Sequence, residues 1–240
     1  ALALKPNSVL AADHLFKLET RRNDWNAALP ALDVMARQQK KTKSKTAPDQ
    51  LALITRQRCA LHFLKAGELL EGDRKSADKE LLTALNIDPG FLPAVTMLAD
   101  HYLDDKAYGR AAKIMEKAFK IHPHESIAFR LKVAWKSNDG QFIAKLAKLV
   151  AQIESTQQKT AHYLVAKQAR DAGLDGEAER LLNAARDLDG GEEEANSLWH
   201  CTSCKSRHDD WQAFCPACDE FATLVWQRPA GTSLLIKHDS

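Results

Sequence analysis

Four cysteines form two pairs late in the chain: Cys201-Thr-Ser-Cys204, then ten residues, then Cys215-Pro-Ala-Cys218. A C-x-x-C turn lets two thiolates converge on one point, and two such turns build a tetrahedral four-sulfur site. The spacing predicts a zinc ribbon or a rubredoxin-like iron site with Cys201, Cys204, Cys215 and Cys218 as ligands. Zn2+ is the leading ion and iron the alternative. Disulfides or free thiols fit less well: the segment is too short to bury a core, and metal binding would fold it. Four thiolates complete a tetrahedron and leave no position for substrate or water, so such a centre is structural or passes electrons. His200 and His208 lie beside the pairs and are expected to stay out of the ligand set.

The remainder of the chain must carry this site, and its character is helical. With 10 Gly and 8 Pro in 240 residues, against many Ala, Leu and Lys, helix-breaking residues are scarce. A net charge of +2 argues against a nucleic-acid partner. The fifth cysteine, Cys59, sits in an apolar helical stretch and reads as a small buried hydrophobe. Four clustered cysteines and one isolated one suit a reducing compartment better than a disulfide scaffold.

A period runs through the chain. Ala77, Ala84 and Pro89 recur 34 residues later as Ala111, Ala118 and Pro123. The stretch Asn23-Asp-Trp25-Asn-Ala-Ala28 reads as the same helix–helix turn upstream. Gly140-Gln-Phe142-Ile-Ala144 and Gly173-Leu-Asp-Gly-Glu-Ala178 read as it downstream. A 34-residue helix-turn-helix repeat is the tetratricopeptide signature: small Ala lets two helices cross closely, and Pro ends the second helix. Helix pairs are predicted near 8–22 and 24–39, 49–70 and 74–87, 91–104 and 108–121, 125–137 and 140–154, and 157–172 and 175–188. The polar, basic stretch 38–48 reads as a solvated loop between the first two pairs. The fold class is therefore all-α: a superhelical solenoid over 1–189, a Gly/Glu linker over 190–197, and the metal module over 198–240.

Taken together, the repeats and Trp199-His-Cys-x-x-Cys…Trp211…Cys215-Pro-x-Cys218…Phe221-x-Thr-Leu224-x-Trp226 resemble the HemY family of alphaproteobacteria. Arg-Arg-Asn-Asp-Trp25 and Ala-Phe-Lys-Ile-His-Pro-His124 belong to the same likeness. The plan is also similar to that of the LapB proteins, whose repeats end in a metal-binding rubredoxin-like module packed against them. Lys205 and Asp219 stand where such knuckles commonly carry Gly. The HemY resemblance implies an N-terminal membrane part missing from this chain, a place on the cytoplasmic side of the bacterial inner membrane, and a loose link to haem biosynthesis.

Function is expected to be non-catalytic. There is no Gly-rich phosphate loop, no G-x-S-x-G elbow and no H-E-x-x-H. His122 and His124 flank Pro123 in a turn where exposed polar residues are expected. A solenoid of helix pairs offers a concave face to peptides. Counting from the Ala landmarks places Lys17, Arg21, His62, Asp100, Arg130, Lys167 and Arg170 there as partner-binding candidates. The aromatics Trp199, Trp211, Phe214, Phe221 and Trp226 are expected to shield the metal and dock the module on the last repeats, with Leu234-Leu-Ile236 a further apolar patch. The chain begins at Ala1 without Met or a signal peptide, which suggests a fragment whose membrane anchor has been removed. The leading expectation is a membrane-tethered adaptor that holds a protein partner in the groove. The alternative is a redox or haem-handling protein using iron.

Overall fold

A computed structural model describes residues 8–41, 47–188 and 198–227. Among the described residues ten α-helices precede a small sheet. They are α1 Val9–Arg21, α2 Trp25–Lys41, α3 Ala47–Leu69, α4 Arg74–Ile87, α5 Leu92–Asp104, α6 Tyr108–Ile121, α7 Glu125–Trp135, α8 Asp139–Val150, α9 Ser155–Asp171 and α10 Asp175–Arg186. All five predicted pairs form. Side-chain caps start several helices: the Ala27 N–H donates to Asp24 at 2.9 Å, and the Gln141 N–H to Asn138 at 2.9 Å.

Each helix packs on the next in the chain, and α5 and α6 also touch α7 and α8 respectively. The periodic alanines sit where helices meet: Ala28, Ala77, Ala84, Ala111 and Ala118 are fully buried, and Ala178 is nearly so. Ala144 is the exception and is exposed. In α8 the buried set is Phe142, Ile143, Leu146, Leu149 and Val150, which lies 31 residues after Ala111, Ala112, Met115, Ala118 and Phe119 in α6. The fourth unit is thus shorter than the landmark spacing, and bulky side chains take the crossing where Ala was expected.

The basic stretch also differs from its reading. Residues 38–41 continue α2 and α3 begins at Ala47, so the extra sequence between the first two units lengthens helices. The rest of that stretch lies outside the described residues, as do the linker over 190–197 and the patch at 234–236.

Three strands follow among the described residues: β1 Leu198–Cys201, β2 Arg207–His208 and β3 Leu224–Gln227. They form an antiparallel sheet in the order β2-β1-β3. The ribbon shares its core with the helices. Trp199, Cys201, Cys215 and Leu224 join the main apolar cluster, while Phe221 and Ala222 join a second cluster with Phe16, Trp25 and Leu61. Among the described residues no helix is long and apolar enough to cross a membrane.

Candidate metal centre

Each cysteine pair lies on the turn of a tiny hairpin. The first links β1 to β2, and the second links Phe214 to Phe221, which pair as an isolated bridge. The turns are built alike. In the first, Cys201 N–H donates to Ser206 O at 2.9 Å and Lys205 N–H to Cys201 O at 3.0 Å. In the second, Cys215 N–H donates to Glu220 O at 3.0 Å and Asp219 N–H to Cys215 O at 2.8 Å. Closing such a turn needs a left-handed residue. Lys205 (φ 65°) and Asp219 (φ 58°) supply it without being glycine. The departure from the common Gly therefore leaves the knuckle geometry intact, at a cost of roughly 1–2 kcal/mol per turn.

The four sulfurs lie within 4.8 Å of one another. Cys201 Sγ is 3.7 Å from Cys218 Sγ, and Cys204 Sγ is 3.8 Å from Cys215 Sγ. A tetrahedron of about 2.3 Å metal–sulfur bonds has edges of about 3.8 Å, so the cluster fits a four-thiolate ion. Cys201 and Cys215 face the protein, while Cys204 is exposed.

Groups around the sulfurs favour thiolates. The Thr223 hydroxyl lies 3.2 Å from Cys201 Sγ, and the Cys204 N–H donates to Cys201 Sγ at 3.4 Å. Burial opposes the Cys201 thiolate, but these bonds outweigh it and hold the thiol below its ordinary value. At Cys215 burial is again opposed, by Ser206 and by the N–H groups of Ala217 and Cys218, and the thiol falls to about 7. Cys218 goes the other way: a backbone bond from Glu220 lowers it, yet burial and the three neighbouring sulfurs push it up to about 12. Four sulfurs this close cannot all be anionic without a cation among them. His208 Nε2 stands 2.7 Å from Ser206 Oγ and 3.5 Å from Cys215 Sγ, an outer-shell position rather than a ligand position. Ser206 and Thr223 were not singled out by sequence, where isolated hydroxyls carry no spacing signal.

Aromatic side chains seat this centre on the helices, but not where expected. Phe221 contacts Phe16 of α1 at 5.6 Å and Trp25 of α2 at 6.5 Å. Trp211 meets Phe63 of α3 at 5.3 Å and Phe91, just before α5, at 5.4 Å. Trp226 packs on His124, the N-cap of α7, at 4.3 Å. The ribbon's ring contacts thus fall on α1, α2, α3 and the starts of α5 and α7 rather than on the last repeats.

His122 and His124 are correspondingly half-buried rather than exposed. Desolvation pulls His124 down to about 4, Glu125 opposing it only in part. Its neutral Nδ1 accepts from the Ser126 N–H at 3.0 Å, which a protonated ring could not do. The unfolded ring titrates near 6.5. Between those values the unfolded chain holds the extra proton, so this contribution is complete above pH 6.5 and is lost as pH falls. We expect about 2 kcal/mol less stability at pH 5 than at pH 7 from this ring. Urea unfolding of native protein and His124→Asn at both pH values checks it: the variant should show the smaller difference, and equal pH slopes would contradict the assignment.

The groove candidates are mostly engaged within the chain. Lys17 pairs with Asp13 at 3.1 Å, and Arg21 reaches Asp219 of the second knuckle at 2.7 Å. His62 meets Glu80 of α4 at 2.7 Å. Arg130 of α7 clasps Asp100 of α5 through two bonds, at 2.7 and 2.8 Å. Lys167 pairs with Glu125 at 3.2 Å, and Arg170 is exposed. Asp100 and Arg130 come together on a cleft of about 860 Å3 that also carries Asp209 and Asp210 of the ribbon. Lys17 and Arg21 line a separate, much smaller cleft beside Phe221.

Cys59 is fully buried, with Sγ 3.6 Å from Ala84 O; burial, then nearby Asp88, pushes its thiol up to about 12, which makes it inert. No family model and no curated protein matches the chain.

Proposed function

We propose that this chain is a non-catalytic adaptor: tetratricopeptide-like helix pairs form a superhelical solenoid whose shape is fixed by a C-terminal ribbon folded around a structural zinc ion. One observation carries the reading. The ribbon's aromatics grip α1, α3, α5 and the start of α7, so the ion that folds the ribbon also fixes the spacing of those helices. A protein partner then docks in the cleft left open beside the ribbon, where Asp100, Arg130, Asp209 and Asp210 offer polar contacts around the apolar floor of Phe63, Leu92 and Met97. The boundaries read from sequence, with repeats over 1–189 and the metal module over 198–240, fit this division of labour. The HemY resemblance adds a membrane tether, a cytoplasmic face and a link to haem biosynthesis as further parts of the proposal.

Capture of the full-length protein from its host membranes tests it, run beside a Cys201→Ser/Cys204→Ser variant. A reproducible partner present with native protein and lost with the variant is the expected result. Identical captures from the two would remove the metal module from recognition, and turnover abolished by a point change would remove the non-catalytic reading.

A second reading uses iron in the same site for electron transfer. The exposure of Cys204, which brings one sulfur to the surface, favours it. Native expression separates the two readings by colour and metal content. Colourless protein with one zinc per chain retires iron, and a coloured iron protein that cycles reversibly retires zinc.

A further inference from the structure

A second cavity lies at the seam between ribbon and helices and shares Leu92, Trp199 and Trp211 with the cleft above. Its volume is about 540 Å3, within the ordinary range for small-molecule sites. Three indoles from the ribbon wall it: Trp199, Trp211 and Trp226. Trp199 and Trp226 meet edge to face at 5.4 Å, and Trp211 is held between Phe63 and Phe91, so the wall is rigid. The opposite wall, from the helices, carries the polar groups.

Two of those groups lack partners. Thr160 of α9 is only 6% exposed, and its hydroxyl is buried without a hydrogen bond. Arg56 of α3 lines the cavity, its Nε is buried without an acceptor, and its guanidinium forms no ion pair among the described residues. A desolvated, unpaired guanidinium is costly unless something anionic meets it. Asp88, the one carboxylate among the described residues of the wall, accepts from the Gly90 N–H at 2.9 Å. Asp88 and Asp49 both favour the charge on Arg56 from a distance, but neither hydrogen-bonds to it nor pairs with it, so its donors stay open to one acidic group while the two carboxylates disfavour a second negative charge. His122 on the same wall is kept neutral by burial and adds no charge.

We propose that this cavity is a binding site for a small aromatic monoanion, its ring among Trp199, Trp211 and Trp226 and its acidic group on Arg56 and Thr160. The site includes side chains of both the ribbon and the helices, so an occupant ties one to the other. The proposal rests on this geometry and not on the identity of the ion or of any protein partner.

Two dyes test it on the metal-loaded full chain. 8-Anilino-1-naphthalenesulfonate is an aromatic monoanion, and N-phenyl-1-naphthylamine has nearly the same rings without the acid. The sulfonate should bind one to one and quench tryptophan emission. Arg56→Gln should weaken the sulfonate about tenfold or more and leave the neutral dye within about twofold, since a charge-assisted bond is lost from one ligand only. Arg56→Lys should restore part of the loss, and Thr160→Val should weaken the sulfonate a few-fold without unfolding the chain. Absence of saturable binding would overturn the proposal. So would equal weakening of both dyes by Arg56→Gln. Binding that appears only after residues 228–240 are deleted would also overturn it, because the cavity would then be the seat of the chain's own C-terminus.

Discussion

Cys215→Ser is expected to strip the ion from the ribbon and to loosen the N-terminal helices as well. Four-thiolate sites of this kind contribute about 10–16 kcal/mol apparent free energy, so one ligand in four carries about 3–4 kcal/mol. Metal affinity should fall on the order of a hundredfold to a thousandfold. The ribbon has no core sufficient to hold it otherwise: its strands are four, two and four residues long. When it opens, Phe16, Trp25, Phe63 and Phe91 lose their aromatic partners and meet water. Far-ultraviolet circular dichroism should keep its helical form at 25 °C, while near-ultraviolet signals change and the helical melt moves to lower temperature. Cys59→Ala, which alters a thiol remote from the ion, should retain full metal. An unchanged helical melt in the metal-free variant would mean that the ribbon is a passenger. A complete loss of helix would mean that the helices cannot stand without it.

The parts of this arrangement that were readable from sequence are those fixed by local rules. The C-x-x-C pairs announce their own geometry because two knuckles at this spacing have one economical use. The helix pairs were readable because crossings demand small residues, and Ala28, Ala77 and Ala111 are buried as that rule requires. Ala144 failed because a crossing can instead be filled by Phe142 and Ile143 once the register slips, and no local rule forbids that. The seat of the ribbon was not readable at all. Phe16, Phe63 and Phe91 look like ordinary core residues of their own helices, and nothing in their spacing says that a distant tryptophan or phenylalanine completes their surroundings. The seam cavity follows from that long-range return and was equally hidden. Arg56 reads as one more solvated arginine until α9 and the ribbon close around it. The groove candidates show the same limit from the other side: counting from the Ala landmarks places them on a face but says nothing of their partners, and the fold pairs Lys17 and Arg21 with carboxylates 4 and 198 residues away.

Phe221→Ala separates the docking of the ribbon from its folding. Phe221 is 5% exposed and is not a ligand, yet it touches Phe16 of α1, Trp25 of α2 and Phe214 of its own hairpin. Truncating a buried Phe costs about 3–5 kcal/mol, from lost burial and from the cavity left behind. That is a large share of the ~5–15 kcal/mol that stabilises a typical domain. The four sulfurs are untouched, so metal content should stay at the native level even as urea unfolding shifts to lower concentration. Phe129→Ala is the matched control: Phe129 is 65% exposed, and its loss should change stability by no more than about 0.5 kcal/mol. A Phe221→Ala protein that keeps native stability would show that the contact with α1 and α2 contributes little. A variant that loses its ion along with its stability would make the second knuckle dependent on the helices beneath it, and folding of the centre would then follow docking rather than precede it.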